Sequence, residues 1–175
     1  MVEPLYERLK NPATRREAFT EVVRKYSPQL YRQIRRLVTW HEDADDVLQD
    51  TFLKAWSGLD NYKGEAQISS WLYRIALNES LAFLARQKAA VSIDGSEAER
   101  TLESDPWFDG DELQAKLQKA VSLLPEKQRI VFNMKYFDEM KYEEMSQILQ
   151  TSVGALKASY FFAVRKIEEY FAANP

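Results

Sequence analysis

Apolar residues in this chain recur at spacings of three and four almost from end to end, the period of helices with one buried face. Only five of the 175 residues are glycine, and no stretch alternates apolar and polar residues between turn signals as a half-buried strand does. The expected fold class is all-α. Periodicity places helices near residues 14–25, 28–40, 43–57, 69–88, 113–123, 126–137, 141–149 and 153–172. Pro28 fits the first turn of a new helix, with Ser27 before it as a cap. Pro125 separates two periodic segments and should break or restart the helix there.

Between about 89 and 111 the period fades. Asp94-Gly95-Ser96 and Ser104-Asp105-Pro106 carry turn chemistry there. This stretch reads as an acidic linker over 89–111. It would join an N-terminal helical bundle at 10–88 to a C-terminal helix-turn-helix domain at 112–175. Trp107 and Phe108 are odd in a free linker and are expected to anchor on a neighbouring domain.

A composition that is 45% hydrophobic and 29% charged excludes wholesale disorder. The longest apolar runs, Leu81–Ala85 and Tyr160–Val164, fall far short of the ~20 residues that span a bilayer. Residues 1–10 lack the apolar core of a signal peptide. Neither membrane insertion nor secretion is expected, and a cytoplasmic location fits. The chain has no cysteine, so disulfides and thiolate metal sites are excluded. Its single histidine, His41, leaves little for metal binding or for nucleophile–histidine catalysis. No catalytic residue, metal or cofactor is expected.

The net charge of −3 conceals segregation. Residues 1–41 carry +5, residues 42–63 carry −4, residues 92–112 carry −7 and residues 113–137 carry +4. A uniformly basic nucleic-acid binder is not built this way. Alternating blocks imply more than one kind of contact surface.

At 100° per residue, Ala44, Val47, Leu48, Thr51, Phe52, Ala55 and Trp56 form one face of the 43–57 helix, expected in a core. Asp46, Gln49, Asp50, Leu53 and Ser57 line the other. Leu53 is an apolar residue among solvent-facing carboxylates. It is either a harmless exposed leucine or the anchor of a docking face steered by the acids. A calcium loop starting at Asp43 is excluded, because its sixth position is Leu48 rather than glycine and its twelfth is Lys54 rather than glutamate.

A polar connection follows, with Asn61, Tyr62, Lys63, Gly64 and Gln67. It leads into a helix that is apolar nearly all round and carries Arg74 and Asn78 on one strip beside Trp71. Aromatic faces stack on bases, lysine meets phosphate and amides read base edges. The alternative is an ordinary interhelical loop.

Near the C-terminus, a helix ending at Leu149, a turn at Gln150–Ser152 and a helix from Val153 make a helix-turn-helix pattern. Small Ser146 fits a close helix crossing, and Leu149 can cap the core. Val153, Leu156, Tyr160, Ala163, Val164 and Ile167 face inward. Ala155, Ala158, Phe162 and Arg165 face outward, flanked by Lys157, Ser159, Phe161 and Lys166. Small residues beside cations suit a major groove; a plain antiparallel helix pair is the alternative.

Four blocks in this order carry a resemblance: Asp43-Ala44-Asp45-Asp46-Val47-Leu48-Gln49-Asp50-Thr51-Phe52-Leu53-Lys54-Ala55-Trp56, then Trp71-Leu72-Tyr73-Arg74-Ile75-Ala76-Leu77-Asn78, then Leu124-Pro125 with Arg129, then Glu143-Glu144-Met145 with Ser152-Val153-Gly154-Ala155-Leu156-Lys157. The chain resembles a bacterial RNA polymerase sigma factor of the extracytoplasmic-function (ECF) group of the sigma-70 family. The resemblance implies that Asp46, Gln49, Asp50 and Leu53 bind the clamp coiled coil of core RNA polymerase. Asn61, Tyr62, Lys63, Gly64, Gln67, Arg74 and Asn78 would melt the minus-ten element and hold single-stranded promoter DNA. Ala155, Lys157, Ala158, Ser159, Phe161, Phe162 and Arg165 would read the double-stranded minus-thirty-five element, with the domain docked on the polymerase flap. An anti-sigma factor is implied as a further partner.

The chain departs from the family pattern in places. Leu77 stands where a basic residue is usual, which implies one phosphate contact fewer. Gln150 stands where glycine is usual, and a left-handed conformation there would cost about 1–2 kcal/mol. Ser159 and Phe162 stand where basic residues are frequent. The expected function is promoter recognition and opening with core polymerase. The rivals are an autonomous dimeric helix-turn-helix regulator and a protein-only helical adaptor.

Overall fold

The buried stripe of the first long helix crosses a proline without a break. In the computed structural model, which describes residues 4–94 and 110–175, α2 spans Arg15–Val38 with Pro28 inside it. The two helices expected at 14–25 and 28–40 are therefore one. An interior proline costs about 3 kcal/mol. Leu30, Ile34, Leu37 and Val38, all buried beyond it, are worth about 1.5–3 kcal/mol each and outweigh that cost. Pro28 lies on the exposed side of the helix. Ser27 caps nothing; its hydroxyl donates back to the Val23 carbonyl.

The chain divides into two compact units, Met1–Ala98 and Glu99–Pro175. In the first, α1 (Pro4–Lys10) precedes α2, followed by α3 (His41–Ser57), a 3-10 turn at Leu59–Asn61 and α4 (Ile68–Asp94). Helices α2, α3 and α4 pack on one another around Val22, Ile34, Ala44, Val47, Leu72 and Ala76. Sequence periodicity does not reveal α1, because a seven-residue helix is marginal on its own. Tertiary contacts hold it: Leu9 is fully buried, and Arg8 forms a two-pronged ion pair with Glu21 at 2.7 and 3.1 Å. Helix α4 continues to Asp94 instead of ending at 88, so residues 89–94 of the expected linker are helical. Trp107 and Phe108 lie outside the described residues.

Only Thr39 and Trp40 separate α2 from α3. Thr39 adopts φ 76°, costly for a threonine, and its N–H still bonds to the Arg35 carbonyl. Arg35 Nε returns a bond to the Thr39 carbonyl at 3.2 Å. Arg35 Nη1 also donates to the Tyr31 hydroxyl at 3.2 Å, and that hydroxyl shares a hydrogen bond with His41 Nδ1 at 2.7 Å. The chain's one histidine thus takes part in pinning the corner.

In the second unit, α5 (Glu112–Ser122) opens on a capping box between Asp111 and Gln114. It is followed by α6 (Glu126–Phe132), a π-helical turn at Asn133–Phe137, α7 (Tyr142–Leu149) and α8 (Val153–Ala173). The single helix expected at 126–137 thus widens after Phe132. The wide turn lets Phe132 and Tyr136 stack at 5.1 Å while Phe137 meets both edge-on. Ala120, Val121, Leu124, Phe132, Ala163 and Ile167 form the core, with Met145 and Leu156 fully buried under the last two helices. Burial draws the Arg129 guanidinium below its ordinary pKa, and the Glu126 carboxylate pulls the other way. The described residues contain no strand, as expected of an all-α chain, and no helix long and apolar enough to cross a membrane.

Candidate functional site

On α3 the face arithmetic holds with one exception. Ala44, Val47, Thr51 and Ala55 are buried, and Leu48 and Phe52 are half-buried. Trp56, expected inside, is 42% exposed and lies edge-on to Phe19 at 5.2 Å. It sits at the end of the helix, where an indole is too large to be covered by the neighbouring Phe19 alone. Asp46, Gln49 and Asp50 are exposed, and Leu53 is 65% exposed among them. Gln49 Nε2 donates to Asp45 at 3.3 Å, a bond within the same strip. Lys54 does not neutralise these acids, since its Nζ lies 2.5 Å from the largely buried Glu79 carboxylate on α4. The face is therefore a carboxylate strip with an apolar centre, continued at its C-terminal end by Trp56.

The loop after α3 is organised around Tyr62, which is only 5% exposed. Its ring lies against Trp71, meets Tyr6 of α1 edge-on at 5.6 Å, and its hydroxyl donates to the Ala66 carbonyl at 2.7 Å. Tyr62 is thus packing and not an open stacking platform, because Trp71 and Tyr6 cover its ring. Gly64 adopts φ +74°, and a Cβ there would fall 2.8 Å from the Tyr6 ring. Lys10 Nζ donates to the Leu59 carbonyl at 2.5 Å, and Arg15 Nη2 meets Asp60 at 2.9 Å. The N-terminal segment sews the loop down.

Asn61, Lys63 and Gln67 remain exposed on that loop. Arg74 and Asn78 are exposed on α4, one and two turns beyond the Trp71 that supports Tyr62. Amides and cations are therefore presented beside one another over an aromatic floor. Leu77, by contrast, is 6% exposed and joins Gln33, Ile34, Leu37, Tyr73, Ala76 and Ser80 in an apolar seam. In this chain Leu77 faces inward and serves as core. Tyr6 and Lys10 are the contributors that sequence reasoning missed. Their only signal is a tyrosine and a lysine four apart, with Lys10 Nζ 5.5 Å over the Tyr6 ring.

In the second unit, α7 and α8 pack across a turn held by side chains. Gln150 is left-handed at φ 54°, ψ 43°, and its Nε2 donates to the Gln147 carbonyl at 2.8 Å. Ser146 Oγ donates to the Thr151 carbonyl at 2.6 Å, so the small residue ties the turn as well as fitting the crossing. Ser152 caps α8 by accepting from Ala155 N–H at 3.2 Å. Leu156, Ala163 and Ile167 are buried, and Val153, Tyr160 and Val164 half-buried, as the spacing requires. Ala155, Lys157, Ala158, Phe161, Phe162 and Arg165 are exposed, and Ser159 is half-buried. Lys157 Nζ of α8 lies 5.7 Å from the centre of the Tyr142 ring of α7, and Lys135 Nζ of the π-helical turn lies 4.4 Å from it, so two cations gather at the start of α7. Burial raises the Tyr160 phenol above its ordinary pKa, with Tyr142 and Tyr136 adding to the effect.

Residues 22–90 match the family Sigma-70 region 2, and residues 114–167 match Sigma-70, region 4. The chain is 28% identical to the RNA polymerase sigma-H factor of Pseudomonas aeruginosa, over 95% of this chain and 92% of that protein. It is 29% identical to the ECF RNA polymerase sigma factor SigW of Bacillus subtilis, over 81% and 82%. Two solved structures share the fold. One is the sigma factor RpoE in complex with the anti-sigma factor NepR from Bartonella quintana, at TM-score 0.73 and 23% identity, covering 90% of this chain and 98% of that one. The other is CnrH in complex with the cytosolic domain of CnrY, at TM-score 0.72 and 22% identity, covering 98% and 96%. Both regions occur here in order, one on each compact unit, and the chain belongs to the sigma-70 family of RNA polymerase sigma factors, in its ECF group.

Proposed function

We propose that this protein docks on core RNA polymerase through α3 and directs it to promoters, where the α4 side of the first unit opens the minus-ten element and α8 reads the minus-thirty-five element. The observation that carries this reading is Leu53, 65% exposed at the centre of a strip formed by Asp46, Gln49 and Asp50. An apolar anchor ringed by carboxylates suits a partner surface that is apolar at its centre and basic at its rim. Such a strip repels DNA, so the acidic surface is assigned to protein. Asn61, Lys63, Gly64, Gln67, Arg74 and Asn78 are assigned to single-stranded DNA, with Tyr62 as the support of their loop. Ala155, Lys157, Ala158, Ser159, Phe161, Phe162 and Arg165 are assigned to the duplex.

A chain of net charge −3 has little free-standing attraction for DNA. Polymerase is therefore bound first and DNA second. The factor contributes recognition and strand separation, and the polymerase contributes the chemistry, in the cytoplasm where both reside. An anti-sigma protein, the kind of partner present in the Bartonella quintana structure, is a further proposed partner. Run-off transcription of a genomic library with bacterial core polymerase tests the reading. Discrete start sites are expected only when the factor is present. Tight promoter binding without polymerase, or a dimer on a palindrome, would replace it with an autonomous regulator.

A further inference from the structure

The centre of the outward strip of α8 is apolar. Phe162 stands four residues after Ala158 and seven after Ala155, at the centre of the strip, and is 49% exposed. Phe161 beside it is 61% exposed, and the two rings meet edge-on at 5.5 Å and 76°. Neither ring has a hydrogen-bond donor or acceptor, so neither can read the polar edges of guanine, adenine or cytosine. Lys157, Arg165 and Lys166 flank the pair, which points to a polyanion around it. Of these, Arg165 is weakly shared with Glu169 at 3.8 Å. The only apolar group that a B-form major groove presents is the thymine C5-methyl. Ala155 and Ala158 leave room for the helix to sink far enough to reach it.

We infer that Phe162 is a specificity-determining residue that selects thymine in the minus-thirty-five element by contact with its C5-methyl, with Phe161 holding the ring edge-on. The inference rests on the sigma-factor reading and adds which base this chain's helix prefers. One position of the element is then read by shape and burial instead of by a donor pair.

The test uses promoter fragments recovered by run-off transcription with reconstituted holoenzyme. Each thymine in the upstream window is replaced in turn by deoxyuridine, which removes only the methyl. At one position the replacement weakens holoenzyme binding about fourfold, the factor that burying one methylene-sized group confers. With Phe162→Ala, whose folding is checked by its melting curve, thymine and deoxyuridine bind alike at that position. With Phe162→Arg, guanine there becomes the preferred base. The inference is overturned if wild-type holoenzyme never distinguishes thymine from deoxyuridine, or if Phe162→Ala keeps the distinction. It is also overturned if Phe162→Ala weakens association with core polymerase in the absence of DNA and leaves the base preference untouched, since the ring is then a protein contact. Recovery of no discrete start site at all defeats the sigma-factor reading itself, a result distinguishable from each of these.

Discussion

The Tyr62 ring lies 4.7 Å from that of Trp71 and is tilted by 30° to it, so the loop after α3 rests on the first turns of α4 through a buried aromatic pair. Truncating Tyr62 to alanine therefore removes core. The expected loss is about 3–5 kcal/mol of unfolding free energy, whereas Tyr62→Phe, which loses the bond to the Ala66 carbonyl, costs about 1 kcal/mol. Urea denaturation measures both. If Tyr62→Ala kept full stability and lost only affinity for single-stranded DNA, the ring would be an open stacking platform after all.

Gly64 faces Tyr6 with φ +74°. Gly64→Ala is expected to destabilise by about 1–3 kcal/mol, from the left-handed backbone and from the clash with the ring. The two contributions separate in a double-mutant cycle. Combined with Tyr6→Ala, the steric part disappears and about 1 kcal/mol of backbone cost remains. Strict additivity of the two single changes would mean that Tyr6 does not close over the loop in solution.

Leu53 and Asp50 lie on the wet face of α3, away from any core contact. Leu53→Asp and Asp50→Lys should each leave the unfolding free energy within about half a kcal/mol of wild type. Both should cut run-off transcription by about tenfold or more, the loss of a central interface residue. Normal transcription from both variants would move polymerase docking to another surface.

Gln150 holds a left-handed turn that a glycine would adopt without strain. Gln150→Gly relieves about 1–2 kcal/mol of strain and gives up the side-chain bond to the Gln147 carbonyl. A net gain of about 0.5–1 kcal/mol is expected in thermal melts. A loss would show that the Gln147 bond outweighs the backbone cost.

The Arg8 hydrogen bonds hold the Glu21 carboxyl below the usual glutamate range. A depressed carboxylate stabilises the fold fully above its unfolded-state pKa, and that contribution is lost as pH falls through the lowered folded value. Both side chains are exposed, so the effect on stability is small. Carbon-13 NMR titration should place the Glu21 midpoint in wild type below that in Arg8→Gln. Coincident midpoints would show that the pair does not persist in solution.

The helical fold class and the α3 and α8 faces are legible in the sequence, because a 3.6-residue period sorts wet from dry residues before any contact is known. Leu53, Phe162 and the buried run of α8 were all placed by that arithmetic. What was not legible depends on contacts distant along the chain. Helix α1 exists because Leu9 and Arg8 find partners, and Tyr62 is buried because Tyr6 and Trp71 close around it. Local preference alone makes Pro28 a helix boundary, and the buried stripe that runs past it overrides that preference. The role of Leu77 depends on its neighbours in the α2–α4 seam, which lie far from it in sequence.

The two-residue corner at Thr39 and Trp40 has a consequence for how this protein can vary. A corner this short, tied by the Arg35 bond to the Thr39 carbonyl and by the Tyr31–His41 bond, fixes the angle at which α3 leaves α2 and so the direction in which Asp46, Asp50 and Leu53 face. Point changes on α3 alter the strength of its grip, whereas residues added at the corner would break those bonds and loosen its aim.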